Sequence, residues 1–344
     1  EKNEISYVGN TTTIILPEEK KNVIVVDSGQ NILNQIETPG NQTQVTQPNI
    51  QEENTNEKEE YYYKQLSSYS KLIYDKLEEN KTNMKSGTYK LDFGDAFSEL
   101  LENEKGTQLL QEYYQSAIET YLYDNPEVFY LDANKMYINI QTTKKFLWTT
   151  YEVFIDSGEN PNYLYDGYNS MQEVIECENI IKREAQKILN QVTGKSDYQK
   201  ILLIHDYLVD NVVYDQSINK EHIYNIYGAL ANKEAVCEGY AKAFKYLMDQ
   251  IGIETILVIG VATDSNEQSQ SHAWNYVNLN NVWYAIDVTW DDPVIIGGGA
   301  LSRRHKYRYF LKGSTTMSED HTESYTFVQN GKAYTHPILS LEDY

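Results

Sequence analysis

The stretch Ala235-Val236-Cys237-Glu238-Gly239-Tyr240-Ala241 places a cysteine where a helix is predicted to begin. Apolar residues follow it at helical spacing, and Gly252 suits the C-cap of that helix. At a helix N-terminus, the unpaired backbone N–H groups and the dipole favour a thiolate and can stabilise an oxyanion. Cys237 is therefore a candidate nucleophile, although an isolated buried cysteine is more often an inert core residue.

Two predicted strands downstream supply a base and an acid. The segments Ser271-His272-Ala273-Trp274-Asn275-Tyr276-Val277 and Val282-Trp283-Tyr284-Ala285-Ile286-Asp287-Val288 are β-like, and Asn280-Asn281 is typical of a two-residue hairpin loop. If Leu279 pairs with Val282, His272 and Asp287 are diagonal neighbours on one face, about 7–8 Å apart and within side-chain reach. In this register Trp274 faces Asp287 and His272 faces Thr289.

An aspartate in an otherwise apolar and aromatic strand is costly to bury unless it has a partner, and His272 supplies one. An aspartate that orients an imidazole beside a thiol completes a nucleophile, base and orienter. The sequence therefore predicts a catalytic triad of Cys237, His272 and Asp287. A plain structural hydrogen bond between His272 and Asp287 is the alternative, but it does not explain a cysteine at a helix start.

Composition limits the possible partners. The 344 residues include 29 basic and 51 acidic ones, which gives a net charge of −22. This excess argues against binding to nucleic acid or to an anionic membrane surface, and no apolar run is long enough for a membrane span. With only two cysteines a disulfide framework is excluded, and Cys177 lies on a predicted apolar helix stripe where a core residue belongs.

The chain divides into three predicted regions. The first holds two β-like runs and a polar stretch too poor in apolar residues to order itself, which predicts a disordered linker. The second is a small α+β region without catalytic signals, and the third is the catalytic domain. Their predicted ranges are 1–60, 61–160 and 161–344.

Within these regions, the spacing of apolar residues and the helix-capping residues predict individual helices and strands. The two β-like runs are Thr11 to Leu16 and Asn22 to Val26, and the polar stretch begins near Asn31. A helix is predicted from about residue 61, another over about 95–123, and strands over 128–131, 136–140 and 146–154. Ser170-Met171-Gln172-Glu173 and Ser196-Asp197-Tyr198-Gln199 are predicted capping boxes that open two further helices.

Four motifs in this order resemble the bacterial transglutaminase-like family: Tyr227-Gly228-Ala229-Leu230, the cysteine stretch, Ser271-His272-Ala273-Trp274-Asn275 and Ile286-Asp287-Val288-Thr289-Trp290-Asp291-Asp292-Pro293. The likeness covers roughly Tyr198 to Phe310. It implies an α+β fold with a papain/transglutaminase-like core, in which a helix bearing the cysteine packs on an antiparallel sheet bearing the histidine and aspartate.

The resemblance also implies a reaction. Cys237 attacks a glutamine side-chain amide, His272 shuttles protons, Asp287 orients His272, and the thioacyl group passes to a lysine amine or to water. The implied partners are proteins or peptides bearing glutamine and lysine, with no cofactor and no metal. Together with the linker, the likeness predicts a secreted or cell-surface protein of a Gram-positive bacterium.

The sequence departs from the animal transglutaminases at the oxyanion site. Those enzymes use a tryptophan upstream of the cysteine, whereas no tryptophan lies between Trp148 and Trp274 here. Tyr227 is the candidate replacement, offering its hydroxyl group beside the Cys237 backbone N–H. Trp274 and Trp290 are predicted to lie around the triad.

Two other functions fit the same motifs, since fold and triad do not fix the substrate. One is a cysteine protease or amidase, and the other is a non-catalytic cell-surface binding module that keeps the fold. The remaining polar residues are predicted to be structural or solvated: a packed or capping histidine at His205, scattered histidines at His222, His305, His321 and His336, solvated acids at Asp291-Asp292, and a flexible loop at Gly297-Gly298-Gly299.

Overall fold

The computed structural model describes residues 7–14, 60–144, 147–265, 267–292, 306–324, 328–329 and 332–344. Four predictions lie outside the described residues: the strand from Asn22 to Val26, the polar linker, the loop at Gly297-Gly298-Gly299, and the prediction for His305.

The N-terminal part of the described chain consists of helices and an antiparallel sheet. Its elements are β1 (Tyr7–Ile14), a 3₁₀ turn (Tyr63–Gln65), α1 (Ser68–Met84), β2 (Leu91–Gly94), α2 (Ser98–Leu101), α3 (Gly106–Asp124), a 3₁₀ turn (Ala133–Lys135), β3 (Tyr137–Lys144) and β4 (Thr149–Asp156). The strand order is β1-β3-β4-β2, and every pairing is antiparallel.

Two predictions in this part were wrong. The helix predicted over 95–123 is two helices, because the chain turns at Asn103 and passes close to the end of α2: a Cβ at Gly106 would lie 2.2 Å from the Leu100 carbonyl oxygen. The segment 128–131 is mostly turn, with a single bridge between Leu131 and Leu164 in place of a strand.

The C-terminal part contains a second antiparallel sheet. Its elements are α4 (Met171–Val192), α5 (Asp197–Asn211), β5 (Val213–Tyr214), a π-helical turn (Gly228–Asn232), β6 (Glu234–Ala235), α6 (Cys237–Asp249), β7 (Thr255–Thr263), β8 (Ser269–Leu279), β9 (Val282–Ile286), α7 (Val288–Asp291), α8 (Ser314–Met317), β10 (His321–Glu323), β11 (Val328–Gln329) and β12 (Lys332–Ala333). The main sheet has the order β10-β7-β8-β9, and α6 packs on β7 and β8. The predicted fold class, α+β with a cysteine-bearing helix on an antiparallel sheet, is confirmed.

Side-chain caps begin the two helices before the cysteine. The Ser196 hydroxyl accepts from the Gln199 backbone N–H and the Gln199 side chain accepts from the Ser196 backbone, a complete capping box. At α4 the Ser170 hydroxyl accepts from Glu173, whose carboxylate instead accepts from the Asn169 backbone. Cys177 of α4 is half-buried and free, packed against the core as predicted.

The hairpin between β8 and β9 has the predicted register. Leu279 pairs with Val282, and Asn280 and Asn281 both adopt left-handed φ angles, 57° and 63°. The ladder ends at the pair of Asn275 with Ile286. The predicted pairings beyond it were wrong, because the next residue, Asp287, accepts backbone N–H bonds and begins α7.

Buried contacts join the two parts of the chain. The Tyr62 hydroxyl donates to the Leu257 carbonyl oxygen at 2.8 Å. Lys245 of α6 is 1% exposed and donates to the Thr255 carbonyl oxygen and to carboxylates of Asp249 and Glu60. The boundary at residue 160 stays a prediction. None of the described helices combines the length and apolar character that a membrane span requires.

Candidate active site

Cys237 is the first residue of α6 and is 1% exposed. The loop before it is fixed by backbone hydrogen bonds, since Val236 donates to the Ile223 carbonyl oxygen at 3.0 Å. Gly239 permits this approach, because a Cβ there would lie 2.4 Å from the same oxygen. The sulfur therefore lies at the N-terminal end of a buried helix, where the first N–H groups lack partners within the helix.

His272 of β8 lies between Cys237 and Asp287. Its Nε2 is 2.7 Å from Oδ2 of Asp287, and the imidazole also interacts with the Cys237 thiol. Since Nε2 is engaged by the carboxylate, Nδ1 is the nitrogen left for the sulfur. The three predicted residues are thus brought together in the order cysteine, histidine, aspartate.

Asn275 fixes the distance between the cysteine helix and the histidine strand. Its side-chain amide donates to the Ala241 carbonyl oxygen of α6 at 3.0 Å and to the Ile256 carbonyl oxygen of β7 at 3.2 Å. Asn275 is 1% exposed, so these bonds are made away from water. They set the position of β8 relative to α6.

The electrostatics of the site favour a charged imidazole. Burial alone would lower the pKa of His272, but the charge of Asp287 and the hydrogen bonds with Asp287 and Cys237 raise it to about 10. Burial alone would raise the pKa of Asp287, yet His272 and His321 hold it well below its usual range. An imidazolium between a thiol and a carboxylate is the arrangement that stabilises negative charge on sulfur.

Trp274 and Trp290 lie next to His272, where the sequence placed them. The Trp274 ring lies 6.1 Å from the His272 ring at 24°, and Trp290 lies 5.3 Å from it at 39°. Trp274 is buried, and its indole N–H has no hydrogen-bond partner among the described residues. The two rings shield the imidazole from solvent.

Tyr227 requires a correction. Its hydroxyl group interacts with the thiol of Cys177, and burial and that neighbour raise its pKa. This placement does not fit the prediction that Tyr227 serves Cys237. Burial raises the pKa of Tyr214 and of Tyr224; Cys237 adds to the shift of both, and Glu238 adds more than Cys237 does to that of Tyr224.

Tyr214 of β5 pairs in parallel with Ala235 of β6, two residues before the cysteine. A two-residue parallel bridge leaves no periodic pattern in the sequence from which this pairing could be predicted.

His321 was predicted to be one of several scattered histidines, but it joins the site. Its Nε2 lies 3.1 Å from Oδ2 of Asp287, and its Nδ1 lies 2.7 Å from Oδ1 of Asp320. It is carried by β10, on the opposite edge of the sheet from β9. No local sequence signal indicates this, because the contact depends on the strand order.

A second histidine–aspartate pair lies close by. His205 is fully buried, with Nε2 3.0 Å from Oδ2 of Asp291 and Nδ1 3.2 Å from Oδ1 of Asp206. The prediction of solvated acids at Asp291-Asp292 was wrong: Asp291 is buried in this pair, and Asp292 accepts from the Tyr240 hydroxyl at 2.5 Å. Burial raises the pKa of both aspartates to about 6.

Among the described residues, His272, Asp287 and His321 form the one group of ligand-type side chains close enough to hold a metal ion, with their ligand atoms within 4.8 Å of one another. These atoms are already paired by hydrogen bonds, and each side chain is almost completely buried. Hydrogen bonding accounts for the cluster without a metal.

A cleft of about 350 Å³ is lined by residues of both parts of the chain. Tyr224 and Glu238 belong to this lining, and Glu238 directly follows Cys237. Asn125, Phe129 and Tyr165 line it from the N-terminal part.

Comparisons with known proteins agree with this geometry. A sequence model of the transglutaminase-like superfamily matches residues 186–288, which include the cysteine, histidine and aspartate. Kyphoscoliosis peptidase of Mus musculus is 26% identical over 160 residues, 43% of this chain, and that of Homo sapiens is 24% identical over the same length. The chain spans 21% of the length of these curated relatives.

Solved structures are similar at low identity. One described as a TGase has a TM-score of 0.31 and 14% identity, covering 50% of this chain and 48% of that one. A putative cysteine protease from Cytophaga hutchinsonii has a TM-score of 0.27 and 14% identity, covering 44% of this chain and 57% of that one. The matched sequence model identifies residues 186–288 as a transglutaminase-like domain, in which α6 carries the cysteine and β8 the histidine.

Proposed function

We propose that this protein is a thiol-dependent acyltransferase that acts on glutamine side chains of proteins, with Cys237, His272 and Asp287 as its catalytic triad. The observation that carries the proposal is the placement of His272, which contacts the thiol of Cys237 on one side and Asp287 at 2.7 Å on the other. A plain structural pair would not require a thiol at a helix N-terminus.

The proposed reaction has two acyl-transfer steps. Cys237 Sγ, which shares one proton with His272 as a thiolate–imidazolium pair, attacks the carbonyl carbon of a glutamine γ-carboxamide. The C–N bond breaks as His272 gives that proton to the leaving ammonia, which leaves a thioester. A lysine amine or water then attacks the thioester, its proton returns through His272, and the thiol is restored.

Charge develops on the substrate oxygen in both steps. The backbone N–H groups at the start of α6 are suited to stabilise it, and Tyr214 and Tyr224, whose pKa values Cys237 helps to raise, are the candidates for an additional donor. The cleft that Glu238 lines is the candidate site for a substrate segment, because Glu238 directly follows Cys237.

A cysteine peptidase is the second candidate, favoured by the peptidase name of the curated relatives. The same triad would cleave a peptide bond if the leaving group were a main-chain amine and the acceptor were water. The geometry at the sulfur is common to both reactions, so the substrate distinguishes them.

The test incubates the protein with a glutamine-bearing protein such as casein and a labelled primary amine, and follows label, released ammonia and peptide fragments together. Label or ammonia that depends on Cys237, without fragments, is the expected result. Fragments that depend on Cys237 would establish the peptidase instead. A Cys237→Ala variant as active as the parent would overturn both.

A further inference from the structure

The Asp287 carboxylate takes part in four hydrogen bonds: one with His272, two with backbone N–H groups, and one with the side chain of His321. Oδ1 accepts from the backbone N–H groups of Thr289 at 3.0 Å and Trp290 at 3.1 Å. Oδ2 is 2.7 Å from His272 Nε2 and 3.1 Å from His321 Nε2. A carboxylate has about four acceptor positions, so this one is fully occupied.

We propose that His321 is a positioning residue, which fixes the Asp287 carboxylate in the orientation that His272 needs. The proposal rests on the proposed function, because it assigns a role within the same triad. His321 acts through Asp287 and does not touch the sulfur or the substrate.

Both nitrogens of the His321 ring face carboxylates. Nδ1 is 2.7 Å from Oδ1 of Asp320, and Nε2 faces Asp287. A carboxylate oxygen accepts hydrogen bonds, so Nε2 is placed to donate to Asp287. Arg308 in turn lies 3.3 Å from Asp320, so a chain of polar contacts runs from Asp287 through His321 and Asp320 to an arginine whose side chain is 59% exposed.

The surroundings of His321 hold its ring in place. Trp290, Trp274 and Tyr309 contact it with centroid distances of 4.8, 5.0 and 5.2 Å, and its side chain is 1% exposed. The Tyr309 hydroxyl donates to Oδ2 of Asp320 at 2.6 Å and so fixes the partner of Nδ1. The titratable groups around the ring are therefore Asp287, Asp320, Tyr309 and the His272 ring, 5.7 Å away.

The sheet is built so that His321 can reach Asp287. His321 lies on β10, which pairs with β7 through Thr322 with Val261 and Glu323 with Gly260. A Cβ at Gly260 would lie 2.2 Å from the Thr322 carbonyl oxygen and 2.5 Å from Cη2 of Trp274. Only glycine at this position allows β10 and Trp274 to lie this close to β7.

Loss of the His321 donor would leave Oδ2 held by His272 alone. Asp287 could then turn about its side-chain bonds, and the His272 imidazolium would lose part of its stabilisation. Misplacement of a catalytic group by about 1 Å can reduce a rate by about 10²-fold, so a small displacement would be measurable.

The test compares His321→Gln with His321→Asn by the rate at which iodoacetamide alkylates Cys237 as a function of pH. The glutamine amide reaches the place of Nε2 and still donates to Asp287, whereas the asparagine amide reaches the place of Nδ1 and donates to Asp320. Both variants replace the ring by an amide and each keeps one of the two bonds, so their difference shows whether the bond to Asp287 or the bond to Asp320 matters for Cys237. Alkylation needs no substrate, so a failure of amine incorporation would leave this test intact.

We expect His321→Gln to stay close to the parent and His321→Asn to react about tenfold more slowly near neutral pH. Above some pH, Cys237 should be alkylated no faster than a free thiol. This pH should be lower in His321→Asn than in the parent, because the pKa of His272 falls when Asp287 is displaced. Equal rates and profiles in the two variants, whether parental or impaired, would overturn the proposal. If His321→Asn does not fold, His321→Met, which donates to neither carboxylate, takes its place with the same expectation.

Discussion

Two buried histidine–aspartate pairs lie at the two ends of α7, and only one of them adjoins a thiol. His272 is 2.7 Å from Asp287 at the start of α7, and His205 is 3.0 Å from Asp291 at its end. The pairs differ at the other imidazole nitrogen, which faces Cys237 in one case and the Asp206 carboxylate in the other. A buried histidine–aspartate pair alone therefore does not indicate an active site. The group that the second imidazole nitrogen faces must also be identified.

The His205 pair has a structural task. The Asp291 carboxylate also accepts from the Tyr309 backbone N–H at 2.8 Å, and Asp206 accepts from the Tyr307 hydroxyl at 3.0 Å. These bonds tie α5 and α7 to the segment that contains Tyr307 and Tyr309. Because both nitrogens of His205 face carboxylates, it has no free nitrogen with which to take a proton from a thiol.

The largest expected difference between the pairs concerns the histidines. His272→Gln should reduce Cys237-dependent turnover by at least ~10³-fold, as should Cys237→Ala, because each removes a member of the proposed triad. His205→Gln, the matched control, should keep turnover within a few-fold when it is folded. Initial rates of amine incorporation measure this, and equal losses in the two histidine variants would contradict the distinction.

Substitutions of the two aspartates should differ less in their effect on turnover than substitutions of the two histidines. Asp287→Asn should lower turnover by about 10²–10⁴-fold, because an amide no longer stabilises the imidazolium of His272. Asp291→Asn should instead lower the free energy of unfolding by about 1–3 kcal/mol, because it weakens a buried hydrogen bond. Urea unfolding and initial rates on the same preparations separate these effects. A rate loss in Asp291→Asn as large as that in Asp287→Asn would remove the contrast.

The free energy of unfolding should depend on pH in a way that reflects the protonation of His272. Its pKa is about 10 in the folded protein, above the ordinary value of 6.5, so folding retains a proton that the unfolded chain releases. The stabilisation is complete below pH 6.5 and is lost as the pH rises through about 10. Urea unfolding over this range should show a steeper loss in the parent than in His272→Gln. Parallel curves would show that His272 does not retain its proton.

The smallest expected effects concern the tyrosines. Tyr214→Phe or Tyr224→Phe should lower turnover, by about tenfold or more if the missing hydroxyl donates to the oxyanion. Tyr227→Phe should leave turnover unchanged, because its hydroxyl interacts with Cys177. Steady-state rates of the three variants measure these effects. A loss of turnover confined to Tyr227→Phe would support the sequence-based prediction that Tyr227 donates to the oxyanion.

Local patterns were sufficient for much of the fold and for the nearest neighbours of the cysteine. Side-chain alternation and the Asn280-Asn281 turn predicted the register of the hairpin, because both signals lie within a few residues of the pairing they determine. The helix start at Cys237 was predicted on similar grounds.

The parts that were missed depend on contacts between distant segments. His321 reaches Asp287 because β10 adds to the far edge of the sheet, and Tyr214 lies beside the residues before Cys237 because it pairs with Ala235 in a two-residue parallel bridge. Asp291 is buried because α5 supplies its partner from 86 positions earlier in the chain. The local sequence around each of these residues does not indicate which distant segment contacts it.

The central claim, that His272 and Asp287 activate Cys237, is tested most directly by competitive alkylation of the two cysteines within one chain. Cys177 is half-buried and free, and burial raises its pKa, whereas Cys237 is 1% exposed. Iodoacetamide at about pH 6, followed by mass spectrometry of the two peptides, should modify Cys237 much faster despite its burial. Preferential modification of Cys177, with Cys237 no faster in the parent than in His272→Gln, would contradict the account.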